Sequence, residues 1–287
     1  MKLVMTLLVR DEIDALAANI EFHLRQGVDF VVATDNGSVD GTRELLAAYE
    51  ARGVVRLIDE PADDYAQGVW VTRMARLAAT EHGADWVINN DADEFWWPEL
   101  GDLKDALRSL PPGAEAASAE RSNFVPRPDG DRQSFADRMT VRERESLNAL
   151  GRKLPSKVCH RGFPSVEVGQ GNHVCSVDGV TLAPIPAPIT ILHFPLRSYA
   201  QFENKIAKGG AAYGRNIHLP PDIGGTWRRL YEVWRAGDLP AHYAAETKSE
   251  DAMAAGLRDG SLIEDRRLRD FFRAHGIGAA KRAGAAA

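Results

Sequence analysis

The sequence predicts an α/β fold, a mostly parallel sheet flanked by helices, with a helical C-terminal extension. Three observations predict it. Apolar runs of strand length alternate with amphipathic stretches through the first hundred residues, the connections between them are short, and the last third reads as helices separated by loops. Right-handed crossovers in such a sheet bring the carboxyl ends of the strands to one edge. Ligands bind beyond that edge, so the residues that follow each strand are the ones to inspect.

The elements follow in order. KLVMTLLV (2–9) is a continuous apolar run, read as the first buried strand. From Ile13 to Gln26, Leu16, Ile20 and Leu24 recur at four-residue spacing and Gly27 stops the pattern, as an amphipathic helix closed by glycine does. DFVVAT (29–34) is the second strand, and the dense turn signal DNGSVDGT (35–42) leads into a helix over 41–52. VVRLID (54–59) is the third strand, 66–82 a helix, and ADWVINN (84–90) the fourth strand. Beyond about residue 110, short strand candidates recur near 115–119, 157–160, 165–168, 172–177 and 189–193. A boundary near 195 separates a core, 1–195, from a mainly helical extension, 196–287, packed on it. The tail GIGAAKRAGAAA reads as frayed.

Composition removes several classes. With 287 residues, 44% hydrophobic and 26% charged, the chain has material for a sizeable core and is not a disordered polymer. A formal charge of -6 and a pI near 5.8 argue against a nucleic-acid partner. No apolar run approaches the length of a membrane span, so no transmembrane segment is expected, although peripheral contact with a membrane stays open. Asp11 and Glu12 close the N-terminal apolar run without a small-residue cleavage site, and Cys159 and Cys175 are too few for a disulfide scaffold. The expected location is cytoplasmic.

The charge has a layout. Residues 85–105 hold seven acids (Asp85, Asp91, Asp93, Glu94, Glu99, Asp102 and Asp105) against Lys104 alone, which accounts for the whole net charge. Within that stretch Asp91 and Asp93 sit just past the fourth strand, where two carboxylates can share a hard divalent cation and its waters. A D-x-D carries weight only through such context; Asp129-Gly130-Asp131, in a Pro/Gly loop, reads as a solvated turn. Asp35 follows the second strand at the ligand edge, where a carboxylate can accept from a base N–H. Cys159-His160 and His173-x-Cys175 could hold zinc, but the two adjacent side chains on a strand point in opposite directions. The segments are instead read as neighbouring strands, with His173 facing the active site or an acceptor.

LLVRDE (7–12), DNGSVDGT (35–42), ADWVINNDADEF (84–95) and ILHFPLRSYAQFENKI (191–206) together resemble the family-2-like glycosyltransferases of the GT-A fold, in the branch whose acidic motif reads D-x-D-E-F. The resemblance covers about residues 1–210. It implies a metal-dependent, inverting glycosyltransferase that moves a sugar from a nucleoside-diphosphate sugar, UDP-sugar first, to the hydroxyl of a glycan or natural-product acceptor, with Mn²⁺ or Mg²⁺ as cofactor. It implies nucleotide contacts at Val9, Arg10, Glu12, Asp35, Asn36 and Asp91, with Arg73 and Lys205 as further candidates, and metal contacts at Asp91, Asp93 and His193. Arg197 is another phosphate candidate, whereas Lys208 reads as a surface lysine. An inverting transfer needs a carboxylate to deprotonate the acceptor. Glu120 is the first choice from its position, with Glu167 and Asp178 as alternatives, and Glu264-Asp265 is read as structural. Trp97 and His173 are the acceptor-side candidates. Two other classes stay open: a sugar nucleotidyltransferase, whose glycine-rich loop is missing from VRDEID, and a non-catalytic nucleotide- or sugar-binding protein.

Overall fold

The protein is described by a computed structural model that places residues 1–278 apart from 65, 129–133, 148–150, 218, 221 and 222. The Asp129–Asp131 pair and most of the C-terminal tail lie outside the described residues.

The first half follows the expected alternation. β1 (Leu3–Val9), α1 (Ile13–Arg25), β2 (Phe30–Asp35), α2 (Thr42–Ala51), β3 (Val55–Asp59), α3 (Gln67–Thr80) and β4 (Trp86–Asp91) alternate with short connections. β1 pairs in parallel with both β2 and β4, and β2 with β3. β1 reads as an almost unbroken apolar run, and β4 begins as one at Trp86, Val87 and Ile88, because helices cover both faces of the sheet. Leu3, Met5 and Leu7 enter one core with Leu16 and Ile20 of α1, and Val4 enters another with Val71 and Met74 of α3. Gly27, at φ +96, ends α1 in a conformation that L side chains rarely adopt.

The second half is less regular. It contains β5 (Glu94–Pro98), α4 (Leu103–Arg108), β6 (Ala116–Asn123), α5 (Phe135–Arg138), β7 (Val141–Glu143), β8 (Lys157–Arg161), β9 (Val166–Val168), β10 (Cys175–Val177), β11 (Val180–Thr181) and β12 (Ile185–His193). The main sheet has eight strands in the order β3-β2-β1-β4-β8-β6-β12-β5, with β8 and β5 antiparallel to the other six. The fold is therefore mixed α/β with a mostly parallel central sheet flanked by helices, as expected.

β8 and β10 lie in different sheets, β10 joining β9 and β11 in a separate small sheet, so the Cys159 and Cys175 segments are not paired neighbours. Both thiols are buried, and burial pushes them up to about 12 and about 11.

The sheet order forces a bend. β4 and β5 are four strand spacings apart in the sheet, about 19 Å if it were flat. Only three Cα steps, about 11 Å, separate Asp91 from Glu94. The sheet must curl back, and this brings the start of β5 and the end of β12 beside the end of β4. His193 then stands opposite Glu94 on β5 and opposite Asn123 on β6. β12 reaches this register through an irregularity between Pro186 and Thr190, where two extra residues are accommodated against β6.

The C-terminal part comprises α6 (Tyr199–Arg215), α7 (Gly225–Arg235), α8 (Leu239–Glu246), α9 (Glu250–Asp259), β13 (Leu262–Glu264) and α10 (Arg267–His275). Ser198 caps α6, its hydroxyl accepting from the Gln201 N–H at 3.2 Å. Phe202, Ile206, Leu230, Leu239 and Tyr243 join α6, α7 and α8 in one apolar cluster. Gly209 and Gly210 let α7 approach closely: a Cβ on Gly210 would stand 2.4 Å from the Cβ of Tyr231. The chain then returns to the core. β13 pairs with β7, and Leu268 and Phe272 of α10 pack among Phe22, Phe95, Phe135 and Phe194.

Two histidines are fully buried in the core and held neutral. His23 donates through Nδ1 to the Asn19 carbonyl (2.8 Å) and accepts the Trp96 N–H on Nε2 (3.2 Å), while His160 donates to the Arg161 carbonyl (2.7 Å). Burial pushes both down to about 4, from an ordinary value near 6.5. Between those values the unfolded chain takes up protons that the fold refuses, so stability falls as pH drops from 6.5 towards 4, by about 1.4 kcal/mol per unit for each. Glu94, which burial pushes up to about 7, works in the opposite sense over the same window and offsets one of them. Urea midpoints measured from pH 7 to 4.5 should fall, and His160→Gln should flatten that fall; a flat wild-type profile would contradict the burial of these rings.

Candidate active site

A cleft of about 810 Å³ opens at the carboxyl ends of β1 and β4, walled on the far side by α6, α7 and α8. It is bordered by Val9, Arg10, Glu12 and Asn36 from the first two strand ends and by Asp91, Asp93 and His193 from the bend. Lys205, Lys208 and Trp227 border it from the helical side, and His173, Arg121 and Lys157 from the flank. Most of the residues expected at the nucleotide and metal are thus brought together.

Asp93 lies in the two-residue connection between β4 and β5 and is almost fully buried. Its Oδ2 receives Lys205 Nζ at 2.6 Å, with Arg197 at 4.0 Å. Burial alone would raise this carboxyl, but the charge of Lys205, followed by those of the other neighbours, outweighs it and holds the group far below the usual carboxylate range. Asp91 is satisfied differently. Its Oδ1 accepts from Gln67 and Asn172, both at 3.3 Å, and its Oδ2 pairs with buried Lys157. Lys157 also reaches Glu94 at 3.3 Å, and Arg121 approaches the same carboxyl at 3.6 Å.

His193 has a defined tautomer. Its Nδ1 lies 2.7 Å from Asn123 Oδ1, an oxygen that can only accept, so the ring donates there. Burial pushes His193 down to about 3, so the ring is neutral with its proton on Nδ1. Nε2 therefore turns a lone pair towards Asp93 Oδ1, 3.8 Å away. Two acceptors facing each other at that separation suit a cation between them, with ligand bonds of about 2.0–2.2 Å. The amide behind the histidine supplies the outer hydrogen bond that orients such a ligand. Among the described residues no three His, Cys, Asp or Glu side chains gather round one metal position. The protein thus offers two facing donors, and a bound ligand and water would complete the shell.

At the nucleotide end, Asn36 donates through Nδ2 to the Glu60 and Ala62 carbonyls (3.0 and 2.6 Å), leaving its buried Oδ1 without a partner. Asp35 is buried beside it, with Oδ2 accepting the Ser38 N–H at 3.1 Å and Oδ1 without a partner. Unsatisfied buried acceptors at a ligand edge suit a base N–H. Asp35 itself stops short of the cleft wall. Asp11, at φ +55, ties the two strand ends together: its N–H donates to Ser38 Oγ (2.9 Å) and its Oδ1 accepts the Val39 N–H (2.8 Å).

Several expectations are corrected. Glu120 points to the surface, 66% exposed and paired with Lys153 at 2.5 Å, because β6 runs on to Asn123 and leaves Glu120 mid-strand on the outer side. Trp97 packs on Phe22 and Phe271 with Arg267 over its ring, away from the cleft, while Trp96 fills the core. Arg73 pairs with Glu60 at 3.0 Å and does not border the cleft. Arg197 is sealed behind it, bonded to Glu12 and to Asp14 at 2.7 and 2.9 Å. Lys208 is no simple surface lysine; it pairs with buried Asp11. Glu167 pairs with Arg76 at 3.5 Å, Asp178 is an exposed turn residue, and Asp265 is held by Arg142 and Arg267. His173 does border the cleft, where burial pushes it down to about 4.

Gln67, Asn172, Lys157 and Arg121 were not anticipated. Gln67 opens α3 a few residues past β3, so inspecting the strand ends a little further along would have found it. A single lysine at the start of a short strand gives no such signal.

No helix among the described residues is long and apolar enough to cross a membrane. Residues 4–125 match the family model described as glycosyltransferase family 92. No curated protein matches the chain in sequence. Among solved structures the chain is similar to S. aureus TarS at 12% identity and a TM-score of 0.42, over 81% of this chain and 43% of that one, so it spans less than half of TarS. Against residues 1–349 of TarS in complex with UDP-GlcNAc the identity is 12% and the TM-score 0.42, over 91% and 93% of the two chains. Glucosyl-3-phosphoglycerate synthase from Mycobacterium tuberculosis, in complex with Mn²⁺, UDP and glucosyl-3-phosphoglycerate, is similar at 14% identity and a TM-score of 0.30, over 56% and 57%.

Proposed function

We propose that the chain is a glycosyltransferase that moves a sugar from a nucleoside-diphosphate sugar, UDP-sugar first, to a hydroxyl acceptor on a glycan or natural product. The observation that carries this is the cleft at the strand ends, where Asp93 and neutral His193 face each other 3.8 Å apart and Lys205 stands beside them. The family 92 match over residues 4–125 includes Asp93 and the nucleotide end of the cleft and supports the same reading. The finer assignment, to the D-x-D-E-F branch of family-2-like enzymes with inversion at the anomeric carbon, belongs to this proposal.

The placement of the residues supports the following roles. Asn36 Oδ1 accepts from the base, with Val9, Arg10 and Glu12 along the nucleoside and Asp35 buried behind Asn36. Asp91 is held rigid by Lys157, Gln67 and Asn172 and turns towards the donor. Asp93 and His193 would hold Mn²⁺ or Mg²⁺, which supplies Lewis-acid stabilisation of the leaving diphosphate. Lys205 adds a positive charge where negative charge develops as the glycosidic bond breaks. His173 borders the acceptor side.

A thermal-shift panel of UDP, GDP and dTDP, each with and without Mn²⁺, tests this reading. One diphosphate should stabilise the protein by several degrees and do so best with metal. A panel without any shift would sink the reading. Release of pyrophosphate from a nucleoside triphosphate would replace it with a nucleotidyltransferase.

A further inference from the structure

Four carboxylates crowd the strand ends, and each already has a cation from the protein itself. Asp91 has Lys157, Glu12 has Arg197, Asp93 has Lys205, and Asp11 has Lys208. The four pairs are of two kinds. Lys157 and Arg197 are sealed, with side chains 2% and 1% exposed, so their pairs are permanent parts of the fold. Lys205 and Lys208 are 24% and 30% exposed, border the open cleft, and lie one turn apart on the same side of α6.

We propose, building on the glycosyltransferase reading above, that Lys205 and Lys208 are the two contacts for the donor's diphosphate, that Asp93 and Asp11 hold them until the donor arrives, and that the divalent cation and the diphosphate therefore bind as a pair. A bare cation approaching Asp93 meets Lys205 on the same carboxylate and Arg197 close behind, and like charges oppose it. The diphosphate removes this opposition. Its oxygens take Lys205, which frees Asp93 to pair with the cation beside the His193 lone pair.

The two carboxylates differ once their lysines leave. Asp11 keeps the Asn204 amide on Oδ2 (3.0 Å) and the Val39 N–H on Oδ1 (2.8 Å), so it stays satisfied. Asp93 has no such second hydrogen bond among the described residues and keeps only Arg197, 4.0 Å away and already bonded to Glu12 and Asp14, which leaves it open to a new cation. The exchange thus directs the metal to Asp93 and leaves Asp11 as a resting place for Lys208.

The test measures Mn²⁺ binding to the full chain by electron paramagnetic resonance, with and without UDP, and UDP binding by calorimetry. In the wild type, UDP should tighten Mn²⁺ binding about tenfold or more, and Mn²⁺ should tighten UDP by the same factor. Lys205→Met should tighten bare Mn²⁺ about tenfold and shrink that coupling, whereas Lys205→Arg should keep it. Lys208→Met should weaken UDP and leave bare Mn²⁺ binding as it was. Lys205→Gln, which can still hydrogen-bond to Asp93, serves if the methionine variant does not fold. Unchanged bare Mn²⁺ binding in a folded Lys205→Met or Lys205→Gln variant that still binds UDP overturns the exchange alone. A wild-type protein that binds no nucleoside diphosphate overturns the glycosyltransferase reading and the exchange with it.

Discussion

Asp93→Asn is expected to lower sugar transfer by at least about 10²–10³-fold while the chain remains folded. The carboxylate is ionised at every working pH, because its cationic neighbours hold it far below the usual range, so the substitution removes a full negative charge. That charge is one of the two donors facing the proposed cation position, and the one to which Lys205 is bound. The fold should survive because the partners left behind have alternatives. Lys205 is 24% exposed and can be solvated, and Arg197 keeps Glu12 and Asp14. The loss of stability should be about 1–3 kcal/mol. Nucleoside-diphosphate release, followed with acceptor and Mn²⁺, reads the rate, and thermal melting reads the fold. Activity above a tenth of wild type would remove Asp93 from the reaction.

Arg197→Met should have the largest effect on stability, about 3–5 kcal/mol. The guanidinium is 1% exposed and ties the segment after β12, where it donates to the Phe194 carbonyl, to the start of α1 at Glu12 and Asp14, more than 180 residues earlier in the chain. Its carboxylate partners raise its pKa despite burial, so it is charged at all pH values of interest. Methionine fills the space but leaves Glu12 buried and without its counter-charge. Burial already pushes the Glu12 carboxyl up, and losing Arg197 would raise it further. Glu12→Gln added to Arg197→Met should therefore recover part of the loss. Denaturant midpoints for the two single variants and the double variant give the coupling. Strict additivity would show that the pair is not a unit.

Much of the framework was legible in the sequence because it is local. β1 and the first half of β4, buried on both faces, are apolar runs, and Gly27 marks the end of α1 by itself. The ends of β2 and β4 led directly to Asn36, Asp91 and Asp93. The misreadings concern faces and register, which no local pattern states. Trp96 and Trp97 are equivalent as letters, yet strand alternation sends one into the core and the other onto α10. Glu120 looked like a strand end because the apolar run stopped there, while the pairing of β6 with β12 continues to Asn123. Lys157 was invisible because a buried lysine is recognised only by the carboxylates around it, and those come from residues 91 and 94. His193 was reached through the resemblance; its neutral tautomer, set by Asn123, required the structure.

The irregularity in β12 bears on how this chain tolerates insertions and deletions. Two residues more than β6 are accommodated between Pro186 and Thr190, and two is the repeat of a strand. Deleting both would match β12 to β6 residue for residue, with Thr190 still opposite Glu120 and His193 still opposite Asn123. Deleting one would leave a single extra residue, which the pair can absorb only as a bulge. Flattening the irregularity with both residues kept would instead place Ile191 opposite Asn123. A shortened strand can therefore keep this cleft, whereas an unbulged strand of the present length cannot, and it is the slack in β12 that decides which residue stands opposite Asn123.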